Sequence, residues 1–184
     1  MSGHGHGAGE HGESNKKVAL LISVLALFLA ISEILGQKAQ THTLQSNIEA
    51  SNLWSFFQAK TIRRTVLETA ADEMEVSTAG IKDPALLKTM QDRIGKWRST
   101  AARYKSEPDK KEGSDELMVR ATKAEEARDK AGKKHFRFEL ATGSFQIGIV
   151  LASAAVITGL MVLLWGAGGL GVIGLLLLIT GMFA

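Results

Sequence analysis

Residues 145–184, FQIGIVLASAAVITGLMVLLWGAGGLGVIGLLLLITGMFA, contain no charged side chain. The hydrocarbon core of a bilayer is about 30 Å thick, and roughly 20 apolar helical residues cross it. The stretch is long enough for two crossings. Trp165-Gly166-Ala167-Gly168-Gly169 offers a break near its middle. The expectation is a transmembrane helix over 143–165, a turn at Gly166–Gly169 and a short transmembrane helix over 168–184. Gly148-x-x-x-Ala152, Ala155-x-x-x-Gly159 and Ala167-x-x-x-Gly171 are pairs of small residues at the spacing that lets membrane helices approach closely.

A second apolar run lies near the other end. Lys16-Lys17 opens VALLISVLALFLAISEILG, residues 18–36. The basic start resembles a signal peptide, but the run is longer than a signal core and no A-x-A-like pair follows it. It reads as an uncleaved transmembrane helix over 17–36. Glu33 lies inside this run, and an intramembrane carboxylate is a functional candidate by default. Gln37 and Lys38 follow about one turn later, so the plain reading is a headgroup-level anchor and the sharper one an ion or proton role.

The averages hide this segregation. The chain has 184 residues, 45% hydrophobic and 22% charged, with a net charge of +3 and a pI near 9.2. Almost all the charge lies between Lys38 and Glu139. So mild a basic excess does not suggest nucleic acid, and beside membrane spans it fits contact with anionic lipid. With no Cys there is no disulfide, thiolate nucleophile or Cys-based metal site. Residues 1–16 form a polar Gly/His tail, read as flexible. His4, His6 and His11 are its weak metal candidates, because imidazole ligates zinc, copper and nickel but these spacings match no structural site.

Residues 37–142 read as a soluble helical domain with helices over about 37–76, 84–106 and 114–142. In the first helix Thr41, Leu44, Ile48, Ser51, Ser55, Ala59, Ile62, Val66, Ala70 and Met74 recur in steps of three and four. Such steps predict a coiled-coil-like seam. Leu53-Trp54-Ser55-Phe56-Phe57 cannot all point to one side of a helix. Trp54 with Phe57, and Leu53 with Phe56, define two faces and hence contact with more than one neighbour. Asp83-Pro84 restarts the chain as an N-cap and first-turn pair. Leu87, Met90, Ile94, Trp97, Ala101 and Tyr104 then form one stripe. The middle helix either folds back along its neighbours or lies across their top.

In the third helix, capped by Ser114 or Asp115, Leu117, Ala121, Ala124, Arg128, Ala131, His135, Phe138, Thr142 and Phe145 keep heptad steps. Leu53, Trp54, Phe56, Phe57, Trp97 and Tyr104 are the candidate interaction residues, since aromatics are enriched at interfaces. Lys16, Lys17, Lys38, Lys133, Lys134 and Arg137 flank the spans as candidate lipid-headgroup contacts. The basic excess beside the second span places the 37–142 domain on the cytoplasmic side. The tail then faces the other side.

The first span followed by EASNLWSFFQAKTIRRTVLETA, with two C-terminal spans, resembles a family of uncharacterised bacterial membrane proteins, the domain of unknown function number 4337. Its most specific part is Asn52-Leu53-Trp54 through Gln58-Ala59-Lys60-Thr61-Ile62-Arg63. The resemblance implies one N-terminal and two C-terminal membrane helices around a helical middle, and no activity.

The fold expected is therefore an all-α membrane protein with a cytoplasmic coiled-coil-like domain between its spans. No G-x-x-x-x-G-K-[ST], G-x-G-x-x-G after a strand, H-E-x-x-H or G-x-S-x-G is present. The expected function is non-enzymatic: a self-associating scaffold or organiser of a membrane complex in the bacterial inner membrane, without cofactor. Its partners would be the lipid bilayer, further copies of itself and a membrane protein. An oligomeric channel or transporter subunit using Glu33, and a metal-responsive protein using the His tail, are the alternatives.

Overall fold

The computed structural model describes the backbone of residues 8–183 and the side chains of residues 16–183. Over that range the chain forms four helices and no strand: α1 (Ala8–Thr78), α2 (Pro84–Lys105), α3 (Ser114–Thr158) and α4 (Met161–Phe183). Three of them, α1, α3 and α4, are long and apolar enough to cross a membrane. α1 begins at Ala8, so helix covers the second half of the segment expected to be a flexible tail.

One period runs along α1. Val18, Leu25, Ser32, Ala39, Ser46 and Leu53 are all buried, at intervals of seven residues. Gly36 and Ala50 are buried four residues after Ser32 and Ser46 of the same series. Two helices that pack side by side at a small angle keep one face together only if that face recurs every 3.5 residues. This is not the seam expected from the sequence. Leu44, Ile48, Ile62 and Val66 are 57–63% exposed. Both faces carry apolar residues, and the Val18–Leu53 series has small residues, Ser32, Gly36, Ala39, Ser46 and Ala50, on its buried side.

Contacts divide the chain into Met1–Thr43 with Asp129–Ala184, and Leu44–Arg128. The first unit is a bundle of α1, α3 and α4. Its core holds Leu25, Ala39, Phe138, Ala141, Phe145 and Leu178, with Val18, Ala152 and Ala167 as a second cluster. α4 presents Ala167, Gly174, Leu178 and Gly181 as its buried face. A Cβ on Gly174 would lie 2.7 Å from the Phe145 ring, one on Gly181 2.8 Å from Phe138, and one on Gly171 2.8 Å from Leu25. These glycines are the sockets into which large side chains of α1 and α3 fit.

That packing explains where the turn falls. It lies at Gly159 and Leu160, not at Gly166–Gly169. Gly159 takes φ +72°, which an L side chain rarely adopts, and its amide donates to the Ala155 carbonyl at 2.9 Å. Gly166–Gly169 stay helical because Ala167 is wholly buried, with its carbonyl 3.3 Å from where a Gly148 Cβ would sit. The Gly148/Ala152 and Ala167/Gly171 pairs are thus in the contact, whereas the Ala155/Gly159 pair forms the turn.

In the second unit α2 runs back along α1. Arg98 pairs with Asp72 (3.2 Å) and Glu75, while Tyr104, nearer the end of α2, lies under the Lys60 ammonium at 5.2 Å. α3 then continues along α1, with Leu117, Ala121 and Ala124 against Ala50 and Leu53. The middle helix therefore folds back and does not lie across the top. The junction at 106–113 is compact. Glu116 accepts from the Ser106 hydroxyl (2.5 Å) and the Glu107 amide (3.2 Å). Ser114 donates to the Lys105 carbonyl at 3.2 Å, closing α2 instead of capping α3. Asp83 does cap α2, accepting from the Ala85 amide at 2.9 Å.

Candidate functional site

The aromatic run on α1 divides between two environments. Leu53 is buried, and Trp54 and Phe57 pack on the same cluster with Ala50, Leu117, Ala121 and Ala124. The Trp54 indole meets the Phe57 ring edge-on at 5.3 Å and donates to the Glu125 carboxylate at 3.0 Å. Phe56 stands apart, 63% exposed. The sequence pairing of Leu53 with Phe56 does not hold, because Leu53 sits on the inward seam and Phe56 on the flank of the helix. Trp97 and Tyr104 are half-buried on α2, each beneath a cation, Arg93 at 5.8 Å and Lys60 at 5.2 Å.

Opposite the inward seam, α1 carries Leu44, Ile48, Ser51, Ser55, Ala59, Ile62 and Val66. Its large members are exposed, as are Ser51 and Ser55; Ala59 is half-buried. Phe56 marks the edge of this face. Beside it lies an open groove of about 790 Å³, where Ile48, Phe56 and Leu117 meet Lys60, Arg63 and Arg120. Neither feature holds a nucleophile beside a base. Among the described residues no group of three or more His, Cys, Asp or Glu is placed to hold a metal ion. What this surface offers chemically is an apolar contact with a charged margin.

The first unit has its own polar contacts. Ser32 is wholly buried and donates to the Phe138 carbonyl at 2.8 Å, and Thr142 donates to the Ser32 hydroxyl at 3.0 Å. The Gly36 carbonyl lies 3.1 Å from Nδ1 of His135; a carbonyl only accepts, so Nδ1 carries the proton. Ser32 was not singled out from the sequence. The available signal was its place in the seven-residue series with Val18 and Leu25.

Glu33 is exposed, about 100° around α1 from the buried Ser32. Lys16, Lys17, Lys38 and Lys133 are exposed, and Lys134 is half-buried. Arg137 is turned to another task, donating to the Thr180 carbonyl at 2.7 Å. The last carbonyls of a helix lack intrahelical partners, so Arg137 acts as a cap for α4 supplied by α3. His4, His6 and the side chain of His11 lie outside the described residues.

Comparison with curated proteins and with solved structures finds no match. A family model does match: the domain of unknown function (DUF4337), over residues 14–184.

Proposed function

The chain belongs to the family of this domain of unknown function, and since membership carries no activity with it, we propose from the residues themselves that it is a non-enzymatic membrane scaffold. It self-associates through the outward face of α1 in a coiled-coil-like contact and organises a membrane complex. One observation carries this reading: Leu44, Ile48, Phe56, Ile62 and Val66 are 57–63% exposed along one side of a single helix. Contiguous apolar surface of this kind on a folded protein marks a contact with another protein or with lipid. Lys38, Lys133 and Lys134 near the spans support a bacterial inner membrane location with residues 37–142 on the cytoplasmic side.

The test is mass measurement of the full chain in detergent over a concentration series, together with Ile48→Asp. The expected result is a defined oligomer that falls to monomer in the variant, because a carboxylate in an apolar contact is costly. A strict monomer at high concentration overturns the reading.

A further inference from the structure

We propose that a second copy of this chain covers the outward face of α1, with the two helices parallel and in register and closest at Ser55. This rests on the self-association proposed above and names its surface and direction.

The spacing supports it. Leu44, Ile48, Ser51, Ser55, Ala59, Ile62 and Val66 follow one another in steps of four, three, four, four, three and four residues. These steps keep one side of a helix facing a single neighbour for about 33 Å at ~1.5 Å per residue. Large aliphatic residues lie at both ends, while Ser51, Ser55 and Ala59 lie in the middle. Small residues four apart let two helix backbones approach, and large ones on either side fill the space as the helices diverge. The Ser55 hydroxyl already donates to the Ser51 carbonyl at 2.9 Å, so covering it leaves that donor satisfied.

Charge supports it as well. In a parallel, in-register pair each residue meets its own copy, so any charge on the face would meet a like charge. None of the seven residues is charged, nor are Asn47, Asn52, Gln58, Thr61, Thr65 and Thr69 around them; Arg63, four residues after Ala59, is the charge at the border of the face. The same helix carries Glu49, Lys60, Arg64, Glu68 and Asp72 on its other sides, and Glu73 lies beyond the end of the face. A face clear of charge within so charged a segment suits self-pairing. Direction follows from continuity: α1 is one helix from the first apolar run to Thr78. Copies inserted the same way in one bilayer carry this face in the same sense.

The chain has no cysteine, so single substitutions report cleanly. The full-length protein is reconstituted in phosphatidylcholine–phosphatidylglycerol vesicles as Ile48→Cys, Ser55→Cys or Ile62→Cys and oxidised with copper phenanthroline. A disulfide needs its two Cα atoms within about 7 Å. Each variant is expected to crosslink to its own copy, and Ala50→Cys on the inward seam is not. Crosslinking of Ile48→Cys only to Ile62→Cys, in a mixed sample, means an antiparallel pair and overturns the direction. A defined oligomer with no crosslink at any of the three positions overturns the surface while self-association stands. A monomer without crosslinks overturns both. Ser55→Trp is a second probe: it is expected to abolish crosslinking at Ile48→Cys while helix content is unchanged, and crosslinking that survives it overturns the close approach at Ser55.

Discussion

Gly174 and Gly168 sit six residues apart on α4 and have opposite reasons to be glycine. A Cβ on Gly174 meets the Phe145 ring, whereas one on Gly168 meets nothing within 4 Å. Gly174→Ala is expected to destabilise the bundle by about 1–3 kcal/mol through overpacking. Gly168→Ala should be neutral or stabilising by up to about 1 kcal/mol, the difference in helix propensity. Unfolding of both variants in mixed detergent micelles checks the contrast; equal effects would mean that the Phe145 ring does not occupy the Gly174 socket. Glu116 gives a pH prediction. The Ser106 hydroxyl first, and the Glu107 amide after it, hold its carboxyl below the ordinary value of 4.5. The ionised form is the one bound, so the contribution is present above 4.5 and is lost as pH falls through the lower folded value. Amide exchange at residues 106–116 should show this loss of protection below pH 4.5, corrected for intrinsic rates. Glu116→Gln should remove the pH dependence. These single-residue facts were the least legible in the sequence. Nothing in the composition distinguishes Gly174 from Gly168, or shows that Ser32 rather than Ser23 is buried between helices, because each depends on what lies across the contact.

At the scale of an element, legibility depended on how many faces a helix must satisfy. The stripe on α2 was readable because Leu87, Met90, Ile94, Trp97, Ala101 and Tyr104 are its apolar side and all of them are buried or half-buried. The same holds for Leu117 through Phe145 on α3, where Arg128 and His135 fall within the stripe and are half-buried. α1 carries two apolar series, and hydrophobicity alone does not rank them. The turn before α4 was misplaced for a related reason: glycine breaks helices in water, but in an apolar bundle it also admits neighbours, and Gly166–Gly169 do the latter while Gly159 turns. Two substitutions test the second unit. Leu53→Ala empties a position between Leu117 and Trp54 and should cost about 2–5 kcal/mol. Gly95→Ala, in α2 with nothing within 4 Å of the added Cβ, should stabilise by about 0.8–1.0 kcal/mol. Denaturant melts of the full chain, followed by Trp fluorescence, measure both.

For the molecule as a whole, the number and placement of apolar runs were legible because crossing a bilayer sets a minimum length. The self-association proposed here has a salt signature. A contact built from uncharged residues is not weakened by screening, whereas one built on ion pairs loses strength once the Debye length falls to ~3 Å at 1 M salt. The oligomer should therefore persist from low salt to about 1 M salt in sedimentation runs, and dissociation by salt would point to the charged margin of the groove instead.

The seven-residue series from Val18 to Leu53 also limits how α1 can change length. Adding one residue turns everything beyond it by ~100°, so the inward series would point away from its partner helix. Seven added residues restore the facing side, but the extra stretch then needs an equal stretch opposite it. Tolerated insertions should come as matched sevens in α1 and α3, and a lone extra alanine after Ala39 should be among the most damaging changes this protein can receive.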